Sequence, residues 1–153
     1  MQLLVVELNN GHYGFLMSQI LEITTKVKIT RIPNSKQFIQ GIANLRGKIV
    51  PMINLKKLLG FEERESDTGC YVFFRIENSG NLLVGTKVDA ISQTITVDEK
   101  KLRDVPSFED QVDCRFVRAL YPENGYCKPI AIINLVEALR FTENENENNQ
   151  IRL

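Results

Sequence analysis

Apolar residues along the chain fall into short runs of high β propensity, separated by turn residues, rather than into long stretches of helical period. Leu3–Leu8 and Tyr71–Ile76 read as strands that each run into a Gly-containing turn. Val27–Ile32, Lys48–Ile53, Leu82–Val88, Thr94–Val97, Cys114–Leu120 and Pro129–Ile133 add further short strands. Only brief helices fit between them. Ser35–Gln40 follows Pro33-Asn34 and would carry Phe38 and Ile39 inward, while Asn54 and Asn134 are placed to cap Leu55–Leu59 and Leu135–Leu139. Many short strands with frequent turns predict a mainly β barrel or sandwich.

The strand pattern repeats. Lys48–Leu59 aligns with Lys128–Leu139 at an offset of 80, each copy reading as strand, Asn cap and helical turn. Gly14–Ile20 aligns with Gly85–Ile91 at an offset of 71, and Asn9–His12 with Asn78–Asn81 at 69. Two related lobes of about 70 residues follow, each marginal alone, so a shared core or exchanged strands is the physically sensible arrangement. The last residues, Thr142–Leu153, are polar and of low complexity and are expected to form a disordered tail after a single two-lobed domain spanning 1–141.

Composition narrows the chemistry. Nineteen basic residues balance nineteen acidic ones, so the chain lacks the electrostatic footprint of a nucleic-acid or anionic-membrane binder. The N-terminus has no basic segment ahead of its apolar run, no stretch of 18 apolar residues occurs, and Cys70, Cys114 and Cys127 are scattered. These features lead us to expect a cytoplasmic protein with reduced thiols. His12 is the single imidazole, expected to be solvated at a hairpin tip, and neither it nor the cysteines have the spacing of a zinc site or a nucleophilic pair. No phosphate-binding, dinucleotide or hydrolase motif is present, so no catalytic residue, cofactor or metal is predicted. A small enzyme using His12 or a cysteine is the remaining rival to a binding module.

Asn44-Leu45-Arg46-Gly47 lies between two apolar runs, which makes it a strand-to-strand turn. Gly47 can take positive φ there and Asn44 can bond its own backbone. Arg46 projects a guanidinium with fixed donors, suited either to a carboxylate or carbonyls on a partner or to an internal ion pair bridging the lobes. At the offset of 80, Asn44 falls opposite Asn124 and Arg46 opposite Tyr126, so the lobe architecture does not itself demand the arginine.

Across residues 2–141 the chain resembles the CheW family of chemotaxis coupling proteins. The resemblance runs through Gly14, Ile20-Leu21-Glu22-Ile23, Thr30-Arg31-Ile32-Pro33, Phe38-Ile39-Gln40-Gly41 and Asn44 to Pro51. It resumes at Val84-Gly85, Val88-Asp89-Ala90-Ile91 and Ile132–Leu139. Asn54 stands where the family usually has Asp, Gln93-Thr94 replaces a common Glu-Val, and Tyr121–Gly125 is an atypical loop. The resemblance implies two intertwined, five-stranded, SH3-like barrels and a non-catalytic adaptor. That adaptor would bridge the regulatory domain of the histidine kinase CheA to the cytoplasmic tip of chemoreceptors, without nucleic acid or membrane insertion. A coupling protein of a pilus, gliding or other CheA-type pathway is the alternative within the same fold. Receptor contacts carried over from the family lie in a groove between the lobes, on Ile20, Glu22, Gly41 and Arg46, with Asn44 and Gly47 shaping the turn. The kinase-binding residues are left unassigned.

Overall fold

The computed structural model describes residues 1–32, 38–62, 68–77, 80–104, 116–122 and 129–140. Among the described residues, eleven strands form two sheets: β1 (Gln2–Leu8), β2 (Gly11–Leu16), β3 (Ile20–Thr24), β4 (Ile29–Thr30), β5 (Ile39–Leu45), β6 (Lys48–Ile53), β7 (Cys70–Ile76), β8 (Leu82–Val88), β9 (Ala90–Thr96), β10 (Val117–Tyr121) and β11 (Ile130–Ile133). The first lobe has the order β10-β11-β2-β1-β9 and the second β3-β7-β8-β6-β5-β4, so the second carries a sixth, two-residue strand beyond the expected five.

The lobes exchange strands. Hairpin β1–β2 sits in the first lobe, and the chain then crosses through a 3-10 turn, Met17–Gln19, to lay β3 to β6 in the second. Hairpin β7–β8 completes the second lobe, and the chain returns at Asp89 to lay β9 to β11 in the first.

Registers make the duplication explicit. Met52 pairs with Gly85 where β6 runs parallel to β8, and Ile132 pairs with Gly14 where β11 runs parallel to β2, the same two offsets of 80 and 71. Ile20 and Glu22 face Phe74 and Phe73 across a bulge at Leu21, as Ile91 and Gln93 face Val6 and Val5 across one at Ser92. A backbone bond from the Asn54 amide to the Phe38 carbonyl recurs from Asn134 to Phe116, both at 2.7 Å. On the first hairpins the offset is 68, as between Val5 and Phe73, and it rises to 71 by Gly14 and Gly85. The match at 69 therefore falls in the loop that grew, part of which (78–79) lies outside the described residues.

Each first-hairpin strand is buried on both faces, which explains its continuous apolar run. Leu4, Val6 and Leu8 of β1 meet Val72, Phe74 and Ile76 of β7 in a core shared by both lobes, with the Phe15 and Phe74 rings 4.9 Å apart. Leu3 and Val5 turn instead into the first lobe's interior, and Phe73 into the second's. Among the described residues the shared core holds 20 buried side chains, against 7 and 4 in the separate interiors. Most of the buried apolar side chains described therefore belong to the core that the two lobes share. Two short helices close its ends: α1 (Leu55–Leu58), where Asn54 Oδ1 accepts from the Lys57 amide at 3.1 Å, and residues 135–140, where Asn134 Oδ1 accepts from Glu137 at 3.2 Å.

Several sequence expectations are corrected. Ile39 and Gln40 open β5 rather than ending a helix, because Ile39 pairs with Ile53 in the sheet; residues 33–37 lie outside the described residues. Val27–Ile32 contributes only Ile29–Thr30, and the strand expected at Thr94–Val97 starts at Ala90, its early half masked by the polar bulge at Ser92. Residues 114–115, 123–128 and 141–153 lie outside the described residues, including the expected tail and the Asn124 and Tyr126 counterparts. The preceding arm runs at an offset of 78, as between Ile39 and Val117, which sets Asn44 against Pro122 rather than Asn124. His12 is not at the tip: Asn9 and Asn10 make the turn, with φ of 48° and 68°. His12 instead faces Glu7 in the ladder with only 16% of its side chain exposed.

A carboxylate ties the return crossover down. Asp89 Oδ1 takes a bond from Lys56 Nζ of α1 at 2.6 Å, and Oδ2 takes one from the Asn9 amide at 2.8 Å. The Asp89 amide itself donates to the Glu7 carbonyl at 3.0 Å. Burial alone would push this carboxyl up. The hydrogen bonds from Lys56 and Asn9, with the charges of Lys56 and Lys87, hold it below its ordinary value.

Two predictions follow from these contacts. A Cβ at Gly85 would lie 2.6 Å from Met52 Sδ and 2.9 Å from Phe73, whereas one at Gly14 would make tight but less severe contacts, 3.2 Å from Leu3 and from Ile130. Gly85→Ala is therefore expected to lower the urea unfolding free energy by about 1–3 kcal/mol and Gly14→Ala by less. Because Asp89 stays ionised in the fold at pH values where the unfolded chain protonates it, its stabilisation is complete above about pH 4 and is lost as pH falls through its lowered folded value. The stability gap between wild type and Asp89→Asn should accordingly be widest near neutrality and close on acidification, as read by urea titrations across pH.

Candidate functional site

The β5–β6 hairpin places the most unusual side chain of the sequence. Leu45 pairs with Lys48, leaving a two-residue loop whose central residues, Arg46 and Gly47, have φ of 50° and 83°. Positive φ at both positions is the primed turn that matches strand twist. Gly47 adopts it freely, with nothing within 4 Å of where a Cβ would stand. Asn44 Oδ1 accepts from the Gly47 amide at 2.9 Å and locks the turn. Arg46 pays a steric penalty of about 1–2 kcal/mol for a left-handed backbone, at a position where Asn or Gly would be relaxed. A strained arginine whose side chain is 83% exposed does not serve packing.

Arg46 Nη2 lies 3.4 Å from Glu22 Oε1 on β3. In sheet order β7 and β8 intervene, so the pair closes across the curl of the second lobe. It joins two strands of one lobe and does not bridge the lobes. A long, solvent-exposed contact of this kind contributes at most about 1 kcal/mol and leaves the guanidinium's other donors open to a partner. Ile20 stands two residues before Glu22, half-buried against the shared core. Between them the bulged Leu21 points outward, as does Ile23, each 41% exposed.

The structure thus gathers Glu22, Asn44, Arg46 and Gly47 at one turn and sets Ile20 at the base of the same strand. Gly41 is placed differently. It is buried under β4, where a Cβ would collide with the Thr30 carbonyl oxygen and lie 3.0 Å from Ile29 Cγ2. Its lack of a side chain lets β4 lie on β5.

Sequence reading did not single out an apolar groove beside the turn. β6 and β8 pair only at Met52–Gly85 and Ile53–Thr86, where Thr86 Oγ1 also donates to the Ile53 carbonyl at 3.1 Å. Ahead of that point the strands diverge around a cavity of about 450 Å³, lined by Ile39, Ile49, Pro51, Leu82 and Leu83 among others. Ile49, 71% exposed, is the most exposed large apolar residue described. The signal for it was Lys48-Ile49-Val50, in which alternation buries Val50 and turns Ile49 outward.

Among the described residues no three His, Cys, Asp or Glu side chains converge on a possible metal position, and no helix is long and apolar enough to cross a membrane. Burial raises the Tyr13 hydroxyl to about 12 where its ring meets Phe61 edge-on, so it stays neutral at physiological pH.

Comparison with known proteins gives one consistent result. A family model described as the CheW-like domain matches residues 2–149. The chemotaxis protein CheW of Klebsiella aerogenes is 33% identical over 107 residues, which make up 70% of this chain and 63% of that protein's length. The chemotaxis protein CheW of Bacillus subtilis is 25% identical over 151 residues, covering 98% of this chain and 92% of the relative. The crystal structure of the scaffolding protein TtCheW from Thermoanaerobacter tengcongensis matches with a TM-score of 0.76 at 33% identity, over 88% of this chain and 84% of that one.

The backbone strain at Arg46 can be separated from the side chain's role. Arg46→Gly is expected to leave urea stability unchanged or slightly raised. Arg46→Val, whose branched Cβ resists positive φ, should lower it by about 1–2 kcal/mol.

Proposed function

The chain belongs to the family of CheW-like domains, and on that premise we propose that it is a non-catalytic scaffold of chemotaxis signalling. In this reading it couples the cytoplasmic tips of chemoreceptors to the regulatory domain of the histidine kinase CheA. The observation that carries the reading is Arg46, a strained and exposed guanidinium held on a rigid turn beside Glu22. Such a pair offers a donor fork and an acceptor side by side, with the outward apolar side chains of Leu21 and Ile23 on the same strand as the acid. A receptor helix presenting acidic, polar and apolar residues at helical spacing would satisfy all three. Weak, reversible contacts of this size suit a signalling adaptor working in the cytoplasm, with cooperativity arising from assembly rather than from one strong contact.

Reconstitution with a receptor fragment and the kinase tests this. Arg46→Glu should fold as the wild type does, judged by a urea unfolding free energy within about 1 kcal/mol of it, yet lose receptor-controlled kinase activity. Full receptor control by that variant would remove Arg46 from the receptor surface. A wild-type protein that forms no ternary complex with receptor and kinase would remove the coupling role itself. Complex formation only with the receptors of a pilus or gliding pathway would move the scaffold to that circuit.

A further inference from the structure

The two lobe crossovers occupy equivalent places in the duplicated fold but are built from different chemistry. At the return crossover, Asp89 bonds Lys56 of the second lobe's helix and the Asn9 amide of the first lobe's hairpin, so one carboxylate grips both lobes. Lys56 is only 14% exposed and Asp89 29%, so the pair is shielded from solvent on most sides. The equivalent of Asp89 at the outgoing crossover, by the offset of 71, is Ser18, which is exposed. The equivalent of Lys56, by the offset of 80, is Val136, an apolar residue packed against the shared core. The outgoing crossover is instead the 3-10 turn Met17–Gln19, whose N-terminal residue Leu16 supplies no side-chain cap. From it the chain runs directly into Ile20 and Glu22.

Apolar packing in the shared core holds the lobes together but is not itself directional. Charge-assisted hydrogen bonds are directional and shorter, and fix geometry as well as adding energy. The molecule therefore has one crossover fixed by directional bonds and one held by packing, with Met17 set against the shared core.

We propose that Asp89, with Lys56 and the Asn9 amide, is a positioning residue that fixes the angle between the lobes. Movement between them is thereby confined to Met17–Gln19, the crossover that presents Ile20 and Glu22. The functional consequence rests on the coupling role proposed above: β3, which leaves Met17–Gln19 and carries Ile20 and Glu22, is held at a set orientation to the first lobe, and breaking the clamp weakens receptor binding without touching a contact residue.

Amide hydrogen exchange and receptor affinity on the full chain test this together. Three variants serve: Asp89→Asn, Lys56→Met, which keeps the Asn9–Asp89 bond, and Lys56→Arg, which keeps the charge. In Asp89→Asn and Lys56→Met, exchange should accelerate about tenfold, the worth of one charge-assisted hydrogen bond. The acceleration should extend over residues 87–90 and 16–20, while unfolding stays cooperative. Affinity for a soluble receptor-tip fragment should fall by a similar factor, and Lys56→Arg should restore both. Faster exchange confined to the Asn9 amide, with receptor affinity unchanged, would overturn the proposal. So would acceleration at residues 87–90 and 16–20 no greater than that of the sheet-core amides, which report only the general loss of stability. Should Asp89→Asn fail to fold, Lys56→Met decides. A wild-type chain that does not bind the receptor fragment would sink the coupling role, while the exchange pattern would still judge the clamp.

Discussion

Burial of β1 and β7 on both faces is the constraint on which the rest of the molecule depends. A strand with Leu4, Val6 and Leu8 on one side and Leu3 and Val5 on the other cannot face water with either. One face must be covered by its own lobe and the other by the neighbour. Strand exchange satisfies both demands at once, because the hairpin that opens each half of the chain is completed by strands from the other half. The large shared core follows, with Phe15 against Phe74 near its centre and the two Asn-capped helices closing its ends.

That arrangement left clear marks in the sequence. The copies at an offset of 80 were legible because a strand, an Asn cap and a helical turn form a compound signal, and Met52 and Ile132 occupy equivalent places. The Gly14–Gly85 match was legible because both glycines lie where parallel strands approach closely. Boundaries fared worse wherever a bulge broke the alternation. Ser92 hid the first half of β9, and Gln40 sits in a bulge that let β5 resemble the end of a helix. His12 was misplaced because an Asn-Asn-Gly run allows two turn positions, and the ladder register selects the earlier one.

The candidate site was legible by type but not by geometry. Asn44, Arg46 and Gly47 announce a turn with a guanidinium on it. The partnership of Arg46 with Glu22 depends on how far the sheet curls, which no local pattern encodes. Gly41 was grouped with these residues, yet its requirement for glycine comes from the Thr30 backbone pressing on it, a contact between residues eleven apart on neighbouring strands. The groove beside β6 escaped notice for a related reason. It exists because two parallel strands touch at two positions and then part.

The exchanged strands have a consequence for the chain as a covalent object. Each half, a hairpin followed by the strands that leave it, lacks what it needs to bury its own apolar faces and carries what the other half needs. Two unlinked copies of one half would complete each other as a symmetric pair, formed only at sufficient concentration. The segment joining α1 to β7 turns that encounter into an intramolecular one, at the millimolar effective concentrations typical of short tethers. Fusion also frees the two copies to diverge, and the molecule uses that freedom at Asp89 and Arg46. A two-chain ancestor bound by symmetry would have to carry each of them twice.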